Sequence, residues 1–184
     1  MPRIEHILRR MAMLPWVVLG LAALLLAAGR GEPARAQIPH FEPAKADLVI
    51  VRKAARSLQL MHAGRVIASY RIALGRAPDG PKRQEGDGRT PEGVYTLDWR
   101  NANSNFHRSL HVSYPREWDD QRAARWGVPP GGEIMLHGLP NGISAERVGH
   151  PYVDWTDGCI ALTNAEIDEV WAQVDDGTTI IIYP

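Results

Sequence analysis

The chain has 184 residues, 45% hydrophobic and 23% charged, which is ordinary globular composition and excludes collagen, long coiled coil, disordered tail and polytopic membrane protein. Its 21 Lys and Arg balance 21 Asp and Glu, leaving no basic footprint for nucleic acid, and its single Cys excludes a disulfide framework and a Cys-rich zinc site. Seventeen Gly and fourteen Pro predict many turns between short strands.

The first 36 residues read as a leader and not as fold. Arg3, His6, Arg9 and Arg10 make a basic start, Met11 to Ala28 carries no charge, and Ala34-Arg35-Ala36 follows. Basic region, apolar region and small residues at the −3 and −1 positions are the order of a secretory signal, so cleavage is expected after Ala36. The alternative is a retained anchor, since the apolar run has the length of a short spanning helix; membrane contact is expected only in that case. Removing residues 1–36 takes away five Arg and two Glu, leaving 16 basic and 19 acidic side chains. A slightly acidic exported domain is a poor ligand for nucleic acid, and 148 residues suffice for a full core.

Residues 37–46 contain two Pro and little periodicity and read as a tether. A domain is expected from residue 47 to 184. Leu48-Val49-Ile50-Val51 is a β-prone run, and Ser57 to His62 alternates apolar and polar side chains. Ala63-Gly64 is a turn, and Val66 to Leu74 returns, which together predict a hairpin. Residues 75–91 are loop. Val94 to Trp99 and Leu110 to Tyr114 are predicted strands, Asp119 to Trp126 a short helix closed by Gly127, and Ile134 to Leu136 a buried strand that runs into His137-Gly138. Thr163-Asn164-Ala165-Glu166 is a capping box, followed by Ile167, Val170, Trp171 and Val174 on one helical face. Asp175-Asp176-Gly177 stops that helix, and Thr178 to Tyr183 is a last strand. The pattern is a mainly β single domain with one or two short helices.

The lone thiol, Cys159, follows Gly158 in a polar turn that begins Thr156-Asp157. A free Cys in an exported chain invites oxidation; it is either a small buried hydrophobe or a nucleophile, which needs a base. Among His40, His62, His107, His111, His137 and His150, His137 ends an apolar strand at a sheet rim, where clefts form, and His150 lies nine residues before the Cys. His137 is the first candidate and His150 the second.

These residues resemble a known family. Ile134-Met135-Leu136-His137-Gly138 followed by Asp157-Gly158-Cys159-Ile160 is similar to the His-Gly…Ser-x-Gly-Cys signature of L,D-transpeptidase (YkuD-type) catalytic domains. Gly75 to Lys82 and Gly86 to Tyr95, with Thr90-Pro91-Glu92-Gly93-Val94-Tyr95, resemble the early segment of the same family. The Asp154-to-Ala161 run and Gly138-Leu139-Pro140-Asn141-Gly142 look most like its YafK subgroup of murein enzymes. Two positions depart from the pattern. Thr156 and Asp157 stand before Gly-Cys, leaving no second His beside the thiol, and Ala161 stands where the family commonly has Arg.

The resemblance implies a β-sandwich or barrel and a cysteine acyltransferase of the periplasm. Its substrate is a peptidoglycan tetrapeptide stem, cut between the third-position diamino acid and a terminal D-Ala. Cys159 forms the thioester, and His137, oriented by a backbone carbonyl, moves the proton. Backbone N–H groups around Gly158 and Cys159, with Gly138 as further site backbone, are expected to hold the oxyanion. Thr156, Asp157, Arg89 and His150 are candidate substrate contacts, with Arg76, Lys82 and Arg147 as other cations able to replace the missing Arg. No metal or organic cofactor is implied. An amine resolves the thioester into a cross-link; water resolves it into a hydrolase product, as in a carboxypeptidase or an amidase that frees a wall-attached lipoprotein. A peptidoglycan-binding module without catalysis, and a zinc hydrolase, which lacks a His-x-x-His spacing here, are the other classes weighed. The 22 positions between His137 and Cys159 leave room for a lid over residues 141–153, and His137 as imidazolium would favour a Cys159 thiolate. Sequencing the exported protein is expected to return Gln37 as its first residue.

Overall fold

A computed structural model describes residues 44–184. The leader at 1–36 and most of the tether lie outside the described residues. Strands β1 (Ala46–Arg52), β2 (Ser57–His62) and β3 (Arg65–Arg71) come first. Strands β4 (Gly93–Ser104) and β5 (His107–Val112) precede helix α1 (Glu117–Ala124). Strand β6 (Met135–His137), helix α2 (Ala145–Val148), strand β7 (Ile160–Ala161), helix α3 (Asn164–Gln173) and strand β8 (Val174–Tyr183) complete the order. The strands form one sheet in the order β3-β2-β1-β8-β4-β5-β6-β7.

The last strand is the middle of the sheet. Strand β8 pairs parallel with β1 and antiparallel with β4, and its alternation puts Ile180 and Ile182 into the core. Val49 and Val51 of β1, Leu58 and Leu60 of β2, Leu97 of β4, Leu136 of β6 and Ile160 of β7 meet them. Each such side chain contributes about 1.5–3 kcal/mol by leaving water. Helix α3 closes the core with Ile167 and Val170, both fully buried. Thr163 Oγ1 accepts from the Glu166 N–H while the Glu166 carboxylate accepts from the Thr163 N–H at 2.8 Å, the expected capping box.

The sheet then curls on itself. Beyond β3 the chain continues through Ile72, Ala73 and Leu74, all fully buried. Ala73 exchanges two backbone hydrogen bonds with Ala161 of β7, at 3.1 and 2.8 Å. The two ends of the strand order are thereby joined. Residues 72–76 are delivered beside the turn that carries Cys159.

The predicted hairpin is present: Ala63 and Gly64 both take positive φ, +48° and +74°, the geometry that matches the twist of its strands. Several boundaries differ from the sequence reading. Ala46 belongs to β1 and not to the tether. Helix α1 starts two residues early, where Arg116 N–H donates to the buried Asp119 carboxylate at 3.1 Å. The segment expected as a lid contains a third helix, α2, of four residues. Strand β4 runs on through Asn101-Ala102-Asn103-Ser104 because β5 pairs with it there; local propensity reads these residues as loop, and pairing overrides it.

Lys53 is 2% exposed and fixes the 75–92 segment from below. Its Nζ donates to Gly80 O at 2.6 Å, Thr90 O at 2.9 Å and Glu92 Oε1 at 2.8 Å. Removing one partner of a buried pair strands the other. Lys53→Met is therefore expected to lower unfolding free energy in urea by about 3 kcal/mol, whereas Lys45→Met, at an exposed pair with Asp175, should change it by less than about 1 kcal/mol.

Candidate active site

Cys159 and His137 come together through strand register. Strands β6 and β7 are parallel with Leu136 opposite Ile160 and His137 opposite Ala161. Cys159 therefore lies beside Met135, one strand across and two residues along from His137. Side chains two apart on a strand share a face, so imidazole and thiol point the same way while Leu136 and Ile160 point into the core. Both line a cavity of about 540 Å³.

Gly158 is required where it stands. Its φ is +138°, and a Cβ there would lie 2.7 Å from Arg89 O and 3.1 Å from Ile134 Cδ1. Thr156 shapes the same turn: its hydroxyl donates to Cys159 O at 2.8 Å and accepts from the Gly158 N–H at 3.2 Å. Its backbone is held by Leu74 O and by the Arg76 N–H. The Cys159 thiol donates to Glu133 O at 3.5 Å, and Glu133 itself sits at φ +52°, a strained setting for a residue with a Cβ.

His137 is 3% exposed. Its Nδ1 lies 2.7 Å from Gly138 O. A carbonyl only accepts, so Nδ1 carries the proton and, in the neutral ring, Nε2 carries the lone pair. Phe106 packs 4.5 Å from the imidazole and Trp155 meets it edge-on at 5.6 Å, centroid to centroid. Ser109 is directly opposite His137 on β5. Burial pulls the His137 pKa down to about 4, against the opposing bond to Gly138, with His150 adding a smaller downward push. Burial likewise pushes the Cys159 thiol up; the Met135 N–H and the Lys82 ammonium oppose that push, and Asp157 and Glu133 reinforce it. Burial thus disfavours the charged form of each group taken singly, which runs against the expected pairing of an imidazolium with a thiolate.

The remaining sequence candidates separate. Asp157 lines the cavity and pairs with Arg76 at 3.2 Å across its mouth; both are largely exposed, so the pair is weak. Thr156 also lines it, but its hydroxyl is committed within the turn. Arg89 does not line the cavity: its backbone packs on Gly158, and its side chain lines a different depression. His150 does not line it either. It is 5% exposed, behind the site, and neither ring nitrogen has a protein partner among the described residues. The N–H of Gly138 is spent on Phe106 O and Arg108 O, and that of Gly158 on Thr156, so neither is the free oxyanion donor expected. The Cys159 N–H has no acceptor among the described residues. Arg147 lies in α2, and Lys82 is buried against Asp87 at 2.8 Å. His107 and His111 pair with Asp168 and Asp98 and do not line the cavity.

Sequence reasoning missed much of the wall. Asn101, Ser104, Asn105, Phe106, Glu133 and Trp155 line the cavity. Phe106 and the Asn residues sit on the extended β4–β5 arm, and nothing local in their pattern signals a site. Trp155, four residues before Cys159, was the one visible clue. Among the described residues no group of three His, Cys, Asp or Glu could hold a metal ion, and no helix is long and apolar enough to cross a membrane.

Three outcomes are expected. Gly158→Ala should cost about 2–3 kcal/mol of stability and displace the thiol, read as a lower melting temperature and altered alkylation of Cys159. Alkylation by iodoacetamide should be slow at pH 7 and rise with a midpoint above the unperturbed ~8.5. The third concerns His137: the unfolded chain binds its proton near ~6.5 and the folded chain only near 4. Stability from this group is thus present above pH ~6.5 and is lost as pH falls toward 4, by about 3 kcal/mol. Denaturation at pH 7 and 4.5 should show a steeper acid loss for wild type than for His137→Gln.

Comparison with known proteins places this geometry. Residues 46–182 match the L,D-transpeptidase catalytic domain (YkuD) family. YafK of Escherichia coli (strain K12) is 28% identical over 112 residues, covering 59% of this chain and 37% of that protein. The helical cell shape determining protein Pgp2 of Campylobacter jejuni superposes with a TM-score of 0.58 at 24% identity, over 77% of this chain and 49% of that one. Bd1075 of Bdellovibrio bacteriovorus gives a TM-score of 0.53 at 22% identity, over 78% and 50%. The chain thus spans about half the length of these solved structures and less of YafK, and the two superpositions carry the fold alone. With the family match running from the first strand almost to the last residue, the chain belongs to the L,D-transpeptidase catalytic domain family.

Proposed function

We propose that the protein is a cysteine acyltransferase of the cell envelope that acts on the tetrapeptide stems of peptidoglycan, in the periplasm once its leader is removed. The observation that carries this reading is the placement of the chain's lone thiol on one cavity with an imidazole whose Nδ1–H is fixed on Gly138 O. Cys159 Sγ attacks the carbonyl carbon of the third-position diamino acid while His137 Nε2 takes the thiol proton. Neutral thiol and neutral imidazole suit this order, since the proton moves as the bond forms and no thiolate need pre-exist. The oxyanion takes the Cys159 N–H, a donor worth about 3–4 kcal/mol in comparable sites. His137 then returns the proton to the departing D-Ala amine, leaving the thioester, and an amine acceptor completes the cross-link and regenerates the thiol.

The walls suit the chemistry. Phe106 and Trp155 keep water from the imidazole, which lowers its basicity and keeps the ring neutral until the thiol proton is passed to it. The Arg76–Asp157 pair at the mouth can open for a charged stem because its exposure makes it weak.

The test is mass spectrometry of purified wall fragments after incubation with the processed protein. New dimers joined between two third-position residues support transfer; shortened stems alone, or released wall-attached protein, make the chain a hydrolase using the same thioester; unchanged fragments overturn the reading. Cys159→Ser should fold and lose turnover by at least about a thousandfold. His137→Ala should abolish acylation, and His150→Ala should leave most of it.

A further inference from the structure

A second depression, of about 400 Å³, lies on the far side of the 82–89 loop from the thiol turn. Arg83, Gln84, Asp87, Arg89, Trp126 and Val128 line it. Trp126 is 53% exposed, and the Arg83 guanidinium sits 5.6 Å from its ring centroid. Among the described residues neither Arg83 nor Arg89 forms an ion pair. The Arg83 guanidinium stacked on the exposed indole, with Arg89 on the same wall, favours an anion with apolar atoms next to it.

The loop that presents them is built to be rigid. Asp87 Oδ2 accepts from the Arg83 and Gln84 N–H groups at 2.7 and 3.1 Å. Its Oδ1 accepts from the Arg89 N–H at 3.0 Å and from Lys82 Nζ at 2.8 Å. Lys82 is 3% exposed, and its carbonyl accepts from Arg122 Nη2 at 2.7 Å. Glu85 N–H is held by Pro129 O at 2.9 Å. The charge of Asp87 is consumed inside the loop, so it does not oppose an incoming anion. Rigid presentation of charged groups is what a binding site needs and a solvated loop does not.

We propose that this depression binds the carboxylates of an acidic wall peptide, gripping the stem, or its acceptor partner, at a distance from the reacting bond. This rests on the reading of Cys159 as a stem-peptide nucleophile. The same loop backs directly onto the thiol turn, where Arg89 O meets Gly158. A four-residue stem extends to at most about 14 Å, enough to cross one loop. The guanidiniums recognise the carboxylates in bidentate fashion, and Trp126 covers the aliphatic atoms between them.

Two stem tetrapeptides test this, one with free side-chain carboxylates and one with those carboxylates amidated. Binding is titrated on the Cys159→Ala protein, with and without Arg83→Gln plus Arg89→Gln. The free-acid peptide should bind about tenfold more weakly to the double-substituted protein, the amidated peptide equally to both, and the difference should shrink with added salt. Trp126→Leu should weaken both peptides. Equal binding of the free acid to both proteins overturns the proposal, as does equal loss for the amidated peptide, which would mark a site indifferent to carboxylate. Turnover by the unsubstituted protein is read separately. Should it process neither peptide, the catalytic reading fails while the titration still decides the site. Should it process both with KM unaffected by the arginine changes, the catalytic reading stands and the site falls.

Discussion

The domain depends on the close approach of three backbone segments at one point. Residues 72–76 leave β3, pair with β7 through Ala73 and Ala161, and continue to Gly75. A Cβ on Gly75 would lie 2.2 Å from Gly88 O and 3.0 Å from Gly158 Cα. No side chain fits between these segments, so a strand extension, the 86–90 loop and the thiol turn lock backbone to backbone. The lock joins the two ends of the sheet and sets the position of Cys159. Lys53 supports it from beneath through Gly80, Thr90 and Glu92. Asp154 supports it from the side: its carboxylate takes Arg56 at 2.7 Å and the Leu74 N–H at 2.9 Å.

The electrostatics of the site follow from that packing. A thiol beside a closed sheet edge and an imidazole under two aromatic rings are both poorly solvated, so each prefers its neutral form. A charged pair would need solvation that the walls do not give. The fixed hydrogen bond from Nδ1 to Gly138 O then does the work that a carboxylate does in other triads, setting the tautomer without adding a charge. Leu139 N–H is in turn held by Asn164 Oδ1 at 2.9 Å, so the first residue of α3 steadies the strand end that bears the base.

What the sequence made legible was carried by local rules. The Ala63-Gly64 turn, the Thr163–Glu166 capping box and the alternation of β1 and β2 each need only a few neighbouring residues, and each is present. His137 and Cys159 could be paired because one ends an apolar strand and the other follows a glycine. Illegible were features made by distant pairing. The β4 extension through Asn and Ser exists because β5 returns beside it, and with the turn at Asn105 and Phe106 it supplies one side of the cavity wall. The early start of β8 has the same origin: Val174 pairs with Ala46, and Asp175 to Gly177 bulge out before the register resumes at Thr179. Hydrogen-bond accounting was equally out of reach. Only the folded backbone reveals that the Gly138 and Gly158 N–H groups are already taken.

The departure at Ala161 bears on recognition. Ala161 is fully buried, with its backbone bonded to Ala73 on one side and its register partner His137 on the other. Ala161 shares the strand face of Cys159, two residues away, so its methyl leaves that side of the sheet without the guanidinium an Arg would bring. The cations near the site are instead on the loops around it: Arg76 at the cavity mouth, and Arg83 and Arg89 beyond the 82–89 loop. A carboxylate met by these groups is met in water-exposed surroundings, where bidentate geometry and a rigid backbone matter more than raw charge. The charged groups left on the cavity wall beside the thiol are Arg76, Glu133 and Asp157, with Arg76 and Asp157 paired to each other.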